Sequence, residues 1–158
     1  MRLTPTAIAT PSLVLEPLSV DGARAIVAGD VTGVRPGRGW PHADTVDGLR
    51  IALTRGHAPG WLITLDGTVI GDCGTHGDPD DRGDVELGFG LAAPYRGRGY
   101  GNEVAGALSR WLLAQPPVRR VIGRVELRNT PSRRALERAG FVLESSGTLY
   151  AIYVLSGS

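Results

Sequence analysis

The sequence predicts a mixed α+β fold with a central, mostly antiparallel sheet of about seven strands, flanked by about four helices. Two observations predict it. Short β-rich runs occur at the beginning, middle and end of the chain, and four segments between them carry apolar residues at helical spacing. The order is strand, two helices, three antiparallel strands, helix, strand, helix, two strands. Because 158 residues suffice for one core and no low-complexity linker divides them, we expect a single domain over residues 1–158.

The first third of the chain predicts one strand and two helices. Residues 12–17 (SLVLEP) are typical of a short strand, and Ser19 indicates the start of a helix over about residues 20–28. Residues 29–42 are rich in Gly, Pro and Arg and predict an irregular loop. Apolar residues at helical spacing over residues 44–55 predict the second helix.

The middle of the chain predicts three antiparallel strands. In WLITLDGTVIGDCG, two β-rich runs flank the pair Asp66-Gly67, which is a strong signal for a two-residue hairpin. The polar turn at residues 78–83 leads to VELGFGL, residues 85–91. One face of this strand is apolar, and the opposite face carries Glu86 and two glycines.

The last third predicts two helices and three strands. After a glycine-rich loop, apolar residues at helical spacing continue until the pair Pro116-Pro117. VRRVIGRVELRN predicts a strand. The pair Thr130-Pro131 is typical of the N-cap and first residue of a helix, which we expect to end at Gly140. Residues 141–143 and 148–155 predict the final two strands.

The charge is nearly balanced but unevenly placed. The net charge is +1, from 17 basic and 16 acidic residues, and every basic residue is Arg. Ten arginines fall between residues 96 and 138. They indicate either an Arg-biased solvated surface or a site for a polyanionic ligand. The net charge does not indicate a broad nucleic-acid surface, because such domains are usually strongly basic.

Membrane and metal-site signals are missing from the sequence. The apolar stretches are too short to span a bilayer, and the first residues do not form a continuous apolar signal core, so we expect a cytoplasmic protein. The single Cys73 cannot form an intramolecular disulfide, which is compatible with a reducing compartment. No group of His, Cys, Asp and Glu has metal-ligand spacing, so we expect no metal.

The glycine loop YRGRGYGNE, residues 95–103, excludes two common nucleotide sites. A dinucleotide fingerprint that starts at Gly97 needs a third glycine where Asn102 stands, and a Walker A loop needs the lysine that this chain lacks. What remains is a strand, a run of backbone N–H groups and a helix N-terminus. This arrangement favours an anion site that a pyrophosphate can approach closely, with a plain strand-to-helix turn as the alternative.

The loop and its context resemble a known family. Arg96-x-x-Gly99-x-Gly101 matches the Q/R-x-x-G-x-G/A signature of the GNAT superfamily of N-acyltransferases. The preceding strand, the following helix, the N-x-x-S sequence at residues 129–132 and AGF at 139–141 agree with that family as well. The segment is similar in particular to the branch of ribosomal-protein N-terminal acetyltransferases (RimJ/RimL-like), although the first 60 residues match only in layout.

The resemblance implies an acyl-CoA co-substrate, most often acetyl-CoA. In the family the glycine loop holds the pyrophosphate, and the strand edge near Leu91, together with the asparagine matched by Asn129, binds the pantetheine arm. Arg133 or Arg134 is a candidate partner for the ribose 3′-phosphate. The implied cofactor-binding residues are Gly90, Leu91, Arg96, Gly97, Arg98, Gly99, Tyr100, Gly101, Asn102, Asn129 and Ser132.

The chemistry requires a neutral amine, a polarised thioester carbonyl and a protonated leaving thiolate. Glu86 is the expected base, directly or through water, because it lies on the glycine face of its strand and relatives carry a base there. The resemblance implies a main-chain N–H near residues 88–91 for the carbonyl. Many relatives protonate the thiolate with a tyrosine where this chain has Leu136. Ser132 replaces it in the RimJ/RimL-like branch, although it is equally compatible with a helix-start residue.

Other groups remain open for the thiolate and the acceptor. Tyr150, Tyr153 or water are alternatives to Ser132. The resemblance places residues 33–42 and 145–148 near the acceptor amine, with Trp40, His42 and Glu86 as the expected substrate residues; His76 and Asp72 are further candidates of weaker status.

Three hypotheses follow for the function. The first is an N-acyltransferase that moves an acyl group, most often acetyl, to a protein N-terminal or small-molecule amine by direct attack in a ternary complex. The second is a non-catalytic acyl-CoA binding or sensing domain. The third is nucleic-acid binding through the Arg-rich half, for which we expect no support. A homodimer is compatible with the sheet edges, whereas the acceptor, the acyl-chain preference and the oligomeric state do not follow from the sequence.

Overall fold

A computed structural model describes residues 2–157. One sheet of eight strands runs through the molecule in the order β1-β2-β3-β4-β5-β6-β8-β7. The strands are β1 Ile8–Ala9, β2 Val14–Pro17, β3 Trp61–Leu65, β4 Thr68–Thr75, β5 Asp84–Leu91, β6 Arg120–Glu126, β7 Val142–Ser146 and β8 Tyr150–Ser156. The helices are α1 Val20–Val27, α2 Ala43–Arg55, α3 Tyr100–Leu113 and α4 Thr130–Arg138, with a short 3-10 turn at Ala93–Tyr95.

The predicted fold class and element order are confirmed, and the strand count is corrected from about seven to eight. The additional strand is β1, which pairs antiparallel with β2 and places Ile8 opposite Leu15. With only two residues, β1 is too short to show an alternating pattern, and the prolines and threonines around it are typical of loops. Its position at the sheet edge is decided by pairing with β2 rather than by its own sequence.

Helix and hairpin starts follow local chemistry. The Ser19 side chain accepts a hydrogen bond from the Gly22 N–H at the start of α1, as the sequence predicts. For α4 the expected cap was wrong by one residue. Asn129, rather than Thr130, is the N-cap, and its side chain accepts from the Ser132 N–H. The hairpin between β3 and β4 turns at Asp66 and Gly67, both at positive φ, which matches a type I′ turn.

Helices cover both faces of the sheet. Successive strand residues point to opposite faces, so Trp61 and Ile63 belong to the core under α3 and α4, whereas Leu62 belongs to the core under α1 and α2. Glu103 in the first turn of α3 accepts hydrogen bonds from Thr10 Oγ1 at 2.7 Å and from the Ser12 N–H at 2.8 Å. These bonds tie the start of α3 to the turn between β1 and β2. No helix within residues 2–157 has the length and apolar character to cross a membrane.

The parallel pair β5 and β6 separates part of the way along. Residues 84–87 of β5 pair with residues 120–123 of β6, but both strands continue for several residues without pairing to each other. At the paired end, Arg120 donates two hydrogen bonds to the Asp84 carboxylate, at 2.8 and 2.7 Å. The fork holds the pKa of Asp84 below its ordinary value. The two strands are therefore clamped at one end and open at the other.

Candidate active site

A cleft of about 1000 Å³ lies where β5 and β6 separate, and it reaches both faces of the sheet. We call the part beside α3 and α4 the donor side; it is lined by Leu91, Arg96, Gly97, Gly99, Gly101, Asn102, Asn129, Pro131, Ser132, Arg134, Ala135, Leu136 and Arg138. We call the part beside α2 the acceptor side; it is lined by Leu18, His42, Asp44, Thr45, Gly48, Leu49, Ile51, Ala52, His57, Asp72, His76, Gly88, Gly90, Arg124, Glu126 and Tyr150.

The edge of β5 exposes backbone groups to the cleft. His76 N–H donates to the Glu86 carbonyl and Ala92 N–H donates to the Ile70 carbonyl, so the even-numbered peptide groups of β5 face β4. Alternation directs those of Phe89 and Leu91 toward the separation from β6. The expected N–H donor to the thioester thus falls on Phe89 or Leu91. Gly90 lines the cleft, but its own backbone pairs with Asp72 on β4.

The glycine loop has the backbone of an anion site. Gly97 and Gly99 have φ of 76° and 84°, and a Cβ at either position would have no neighbour within 4 Å. Their requirement for glycine is conformational rather than steric. Gly99 is the N-cap of α3, and within residues 2–157 no side chain caps that helix. The first N–H groups of α3 therefore remain available to a ligand, and the helix dipole favours an anion there.

The residues of the loop divide into those that reach the cleft and those that do not. Arg96, Gly97, Gly99, Gly101 and Asn102 line it. The Arg96 Nε donates to the Leu91 carbonyl at 2.9 Å, so this arginine fastens the loop to the end of β5. Arg98 and Tyr100 are absent from the lining: Arg98 lies 5.8 Å from the centre of the Tyr95 ring, and Tyr100 packs against the core.

The start of α4 brings Asn129 and Ser132 to the donor side. Asn129 Oδ1 caps α4 through the Ser132 N–H at 3.2 Å. The capping role that we considered for Ser132 thus belongs to Asn129, while Ser132 is half-buried in the cleft wall. Leu136, where many relatives carry tyrosine, is fully buried. Its Cδ1 would lie 2.7 Å from a Cβ at Gly123, so the glycine on β6 provides the space for this leucine.

The two candidate tyrosines on β8 have different environments. Tyr153 is fully buried, donates its hydroxyl proton to Glu137 at 2.8 Å and accepts from Arg133 Nε at 3.0 Å. Both its hydroxyl and Arg133 are therefore occupied within the core. Tyr150 lines the cleft and is exposed, as is Arg134. Of the two tyrosines, only Tyr150 can reach a ligand in the cleft. Of the neighbouring arginines 133 and 134, only Arg134 can do so.

Glu86 lies between the imidazole of His76 and the guanidinium of Arg124. Its Oε2 is 3.6 Å from His76 Nε2, and its Oε1 is 3.7 Å from Arg124 Nε. The imidazole of His76 lies over Gly88, where a Cβ would be 2.8 Å from Nε2. His76 and Arg124 line the cleft, and Glu86 stands behind them. The carboxylate is therefore adjacent to the point where the strands separate, but its neighbours form the cleft surface.

A hydrogen-bond network joins Trp40, His42 and Asp72. Trp40 is buried and donates from Nε1 to Asp72 Oδ2 at 3.0 Å; it lies in the core outside the cleft lining. Thr45 Oγ1 donates to the same carboxylate oxygen at 2.6 Å. His42 is the N-cap of α2 and accepts at Nδ1 from the Thr45 N–H. His42 lines the acceptor side beside Gly90, whereas Trp40 orients Asp72 from behind.

Both ends of α2 carry a histidine with a buried, unpartnered nitrogen. The Nε2 atoms of His42 and His57 make no hydrogen bond to any group in residues 2–157. His57 Nδ1 is 3.1 Å from the Ala58 carbonyl, which can only accept, so in the neutral imidazole the lone pair is on Nε2. The stripe Thr45, Gly48, Leu49 and Ala52 lines the cleft between the two histidines. A ligand that lies along α2 can satisfy both ring nitrogens.

Sequence reasoning missed several cleft residues. The free backbone of Phe89 follows only from the register of β4, β5 and β6, and Thr45 and His57 gain their positions from the packing of α2 on the sheet. His76 was named only as a candidate of weaker status, on the ground of its place directly after the third predicted strand. In the described part of the chain, no group of three or more His, Cys, Asp and Glu residues is placed to hold a metal ion.

The single cysteine lies in the cleft wall as a neutral thiol. Cys73 on β4 is buried, and burial, together with the nearby Asp72 charge, raises its pKa well above the ordinary value. A thiol is a poor nucleophile compared with a thiolate. The environment of Cys73 therefore does not favour a covalent acyl-cysteine intermediate.

Comparisons with known proteins identify the family of the chain. A family model for the acetyltransferase (GNAT) domain matches residues 12–142. An uncharacterized N-acetyltransferase of Bacillus subtilis, YjdG, is 30% identical over 124 residues, which cover 73% of this chain and 74% of that protein. The RimL ribosomal alpha-N-protein acetyltransferase, solved in complex with coenzyme A, has a TM-score of 0.69 at 18% identity, with 96% of this chain and 98% of that chain covered.

An acetyltransferase from Agrobacterium tumefaciens has a TM-score of 0.66 at 24% identity, with 98% of this chain and 96% of that chain covered. At such identities the structural likeness supports the fold, and the family match over residues 12–142 supports the activity. The chain belongs to the GNAT family of acetyltransferases, and it is an N-acetyltransferase that uses acetyl-CoA.

Proposed function

We propose that this N-acetyltransferase moves the acetyl group of acetyl-CoA to a primary amine, on a protein N-terminus or a small molecule, by direct attack within a ternary complex. One observation carries the proposal. A single cleft passes the separated ends of β5 and β6, with an anion-binding loop on one side and a carboxylate-lined space on the other. Both substrates can therefore meet at the edge of β5 without leaving the cleft.

On the donor side, the N–H groups from Gly97 to Asn102 bind the CoA pyrophosphate, and Arg134 reaches the ribose 3′-phosphate. The uncapped start of α3 and the positive φ of Gly97 and Gly99 support this assignment. The pantetheine arm runs along β5 between the Leu91 N–H and the Asn129 amide. Because Arg98 and Tyr100 do not line the cleft, we assign their side chains to loop stability and leave only their backbone N–H groups to the pyrophosphate.

At the reacting centre, the Phe89 N–H polarises the thioester carbonyl, and the proton of the attacking amine moves toward Glu86. The direction of the Phe89 peptide and the place of Glu86 beside the strand separation support these roles. Ser132 hydrogen-bonds the departing thiolate, a role supported by its free hydroxyl in the cleft wall. Direct attack is favoured because Cys73, the only cysteine, is a buried neutral thiol.

On the acceptor side, His42 contacts the acceptor and Trp40 positions Asp72 beneath it. Asp44, Asp72 and Glu126 line this space with Arg124 as the only arginine, which favours a cationic amine over an anionic acceptor. The structural likeness to RimL, a ribosomal alpha-N-protein acetyltransferase, makes a protein N-terminus a reasonable first acceptor to test.

Three further assignments accompany this function. We propose one domain over residues 1–158, supported by a continuous sheet whose strands begin at residue 8 and end at residue 156. We propose a cytoplasmic location, supported by the buried free thiol of Cys73. We also propose a homodimer through the edge of β7, supported by the exposed apolar side chains of Val142 and Leu143.

The test is a free-thiol release assay with acetyl-CoA and succinyl-CoA across N-terminal peptides, amino acids, polyamines and aminoglycosides. We expect acetyl-CoA to support thiol release with at least one class, together with a stable amide product. Binding of CoA without thiol release for any acceptor would contradict the proposed reaction. A matched Glu16→Gln variant, on the exposed β2 surface, controls for the loss of a carboxylate in later variants.

A further inference from the structure

We propose that His76 is the catalytic group that takes the proton from the acceptor amine, and that Glu86 acts through it as a positioning residue. The inference rests on the proposed function and assigns the first step of its proton transfer to one side chain. It begins from the cleft surface, where the imidazole of His76 is present and the carboxylate of Glu86 is not.

The position of His76 follows from the strand that passes beneath it. The imidazole occupies the space above Gly88, because a side chain at that position would collide with Nε2 at 2.8 Å. Gly88 is the first residue of β5 beyond the paired segment that ends at Leu87. The ring therefore overlies the point where the two strands begin to separate and where the acceptor approaches the β5 edge.

Glu86 is poorly placed to receive the proton itself. One carboxylate oxygen faces His76 Nε2 at 3.6 Å and the other faces Arg124 Nε at 3.7 Å, so each oxygen already faces a nitrogen that can donate a proton. The Glu86 side chain is 26% exposed, whereas that of His76 is 58% exposed. An amine that moves along the cleft reaches the imidazole before it reaches the carboxylate.

The dyad provides a complete proton path. With the Nε2 proton directed at Glu86, the Nδ1 lone pair of His76 accepts the proton of the amine. The amine nitrogen forms a bond to the thioester carbon, the C–S bond breaks, and the CoA thiolate leaves and takes up a proton from water. Glu86 stabilises the resulting imidazolium, which then returns its proton to water. The products are an amide and free CoA.

Other charges face this dyad from the surrounding elements. Arg124 on β6 opposes formation of the imidazolium, while Asp72 on β4, Glu126 on β6 and Asp44 on α2 favour it from elsewhere on the acceptor side. Imidazole is the side chain that enzymes use most often as a general base near neutral pH.

The test compares pH profiles of kcat/KM for the acceptor in wild type, His76→Ala, Glu86→Gln and the control Glu16→Gln. We expect kcat/KM of His76→Ala to fall roughly 100-fold or more. The variant should also lose the rise in kcat/KM that wild type shows as pH increases through the pKa of an imidazole base. Added imidazole should restore part of its activity. Glu86→Gln should lose less and keep that rise at lower pH, because the imidazolium loses a negative neighbour. CoA affinity should be unchanged in all four.

Other results would overturn the assignment. If Glu86→Gln abolishes the rise in rate while His76→Ala keeps it, Glu86 is the base. If His76→Ala is slow but keeps the wild-type pH profile and gains nothing from imidazole, His76 is only structural. A wild type that releases no thiol with any amine would instead contradict the proposed function, and this inference with it, so the two failures are distinguishable.

Discussion

The donor side and the acceptor side of the cleft are built in different ways. The donor side comes from two continuous segments, residues 91–102 and 129–138, and offers mainly backbone N–H groups and glycine surfaces. The acceptor side is assembled from α2, β4, β6 and the start of β8, so its side chains come from distant parts of the chain. Thr45 and Asp72, for example, are 27 residues apart but share a hydrogen bond.

The two sides also differ in charge. Arginines 96, 134 and 138 line the donor side, which has no carboxylate in the described lining, whereas Asp44, Asp72 and Glu126 line the acceptor side with a single arginine. In the proposed reaction, this charge difference attracts a phosphate-rich donor and a cationic amine to opposite ends of one cleft. If the proposed function is right, backbone geometry determines donor recognition, whereas acceptor recognition depends on side chains that can vary independently.

The largest expected effect is a loss of CoA affinity on the donor side, caused by a change at Gly99. Replacement by alanine forces a non-glycine residue into positive φ at the anion site, and we expect CoA affinity to fall about 100-fold through loss of two charge-assisted hydrogen bonds. Gly29→Ala is the matched control, because Gly29 has nearly the same φ, 85° against 84°, and equally free surroundings. Calorimetric titration with CoA should show a defect in the first variant alone; equal affinities would disprove the anion-site assignment.

The second expected effect tests the leaving-group contact on the donor side. Ser132→Ala should lower kcat by roughly 10- to 100-fold, the size expected for one hydrogen bond to a charged group, with no loss of thermal stability. Asn129→Ala should instead destabilise the protein by about 1 kcal/mol, because it removes the cap of α4. Steady-state kinetics and thermal unfolding of both variants separate the two roles. Unchanged kcat in Ser132→Ala would assign thiolate protonation to Tyr150 or to water.

A smaller effect should appear only on the acceptor side. His42→Ala removes a single neutral hydrogen-bonding group, so we expect the acceptor KM to rise about 3- to 10-fold while CoA affinity stays constant. The variant also removes the cap of α2, which thermal unfolding will register as a separate loss. If CoA affinity falls as much as acceptor affinity, the division of the cleft into two sides is wrong.

The smallest expected effect is on stability in acid, and it comes from the Arg120–Asp84 ion pair at the paired end of β5 and β6. Arg120 lowers the pKa of Asp84, so the unfolded state binds more protons than the folded state in acid. This contribution is complete above the unfolded-state pKa, near 4, and disappears as pH falls through the lower folded-state value. Chemical unfolding between about pH 5 and 2 should therefore show a steeper loss of stability for wild type than for Asp84→Asn. The exposed Asp21→Asn variant should match wild type.

The contrast between the sides explains what could be read from the sequence. The donor side was predictable, because a loop with glycines at fixed spacing and a following amphipathic helix reveal backbone geometry directly. The acceptor side was not, since His76 acts over Gly88 and His42 beside Gly90 only after β4, β5 and α2 have packed. Local patterns also missed β1 and shifted the α4 cap from Asn129 to Thr130, where pairing and side-chain geometry decide.

The central claim is that donor and acceptor occupy one cleft together and that the acetyl group passes directly between them. Initial-rate kinetics with both substrates varied tests it most directly, supported by mass spectrometry of enzyme incubated with acetyl-CoA alone. Direct transfer within a ternary complex predicts intersecting double-reciprocal lines and no acetylated enzyme. Parallel lines, with an acetyl group on Cys73 or another side chain, would contradict it.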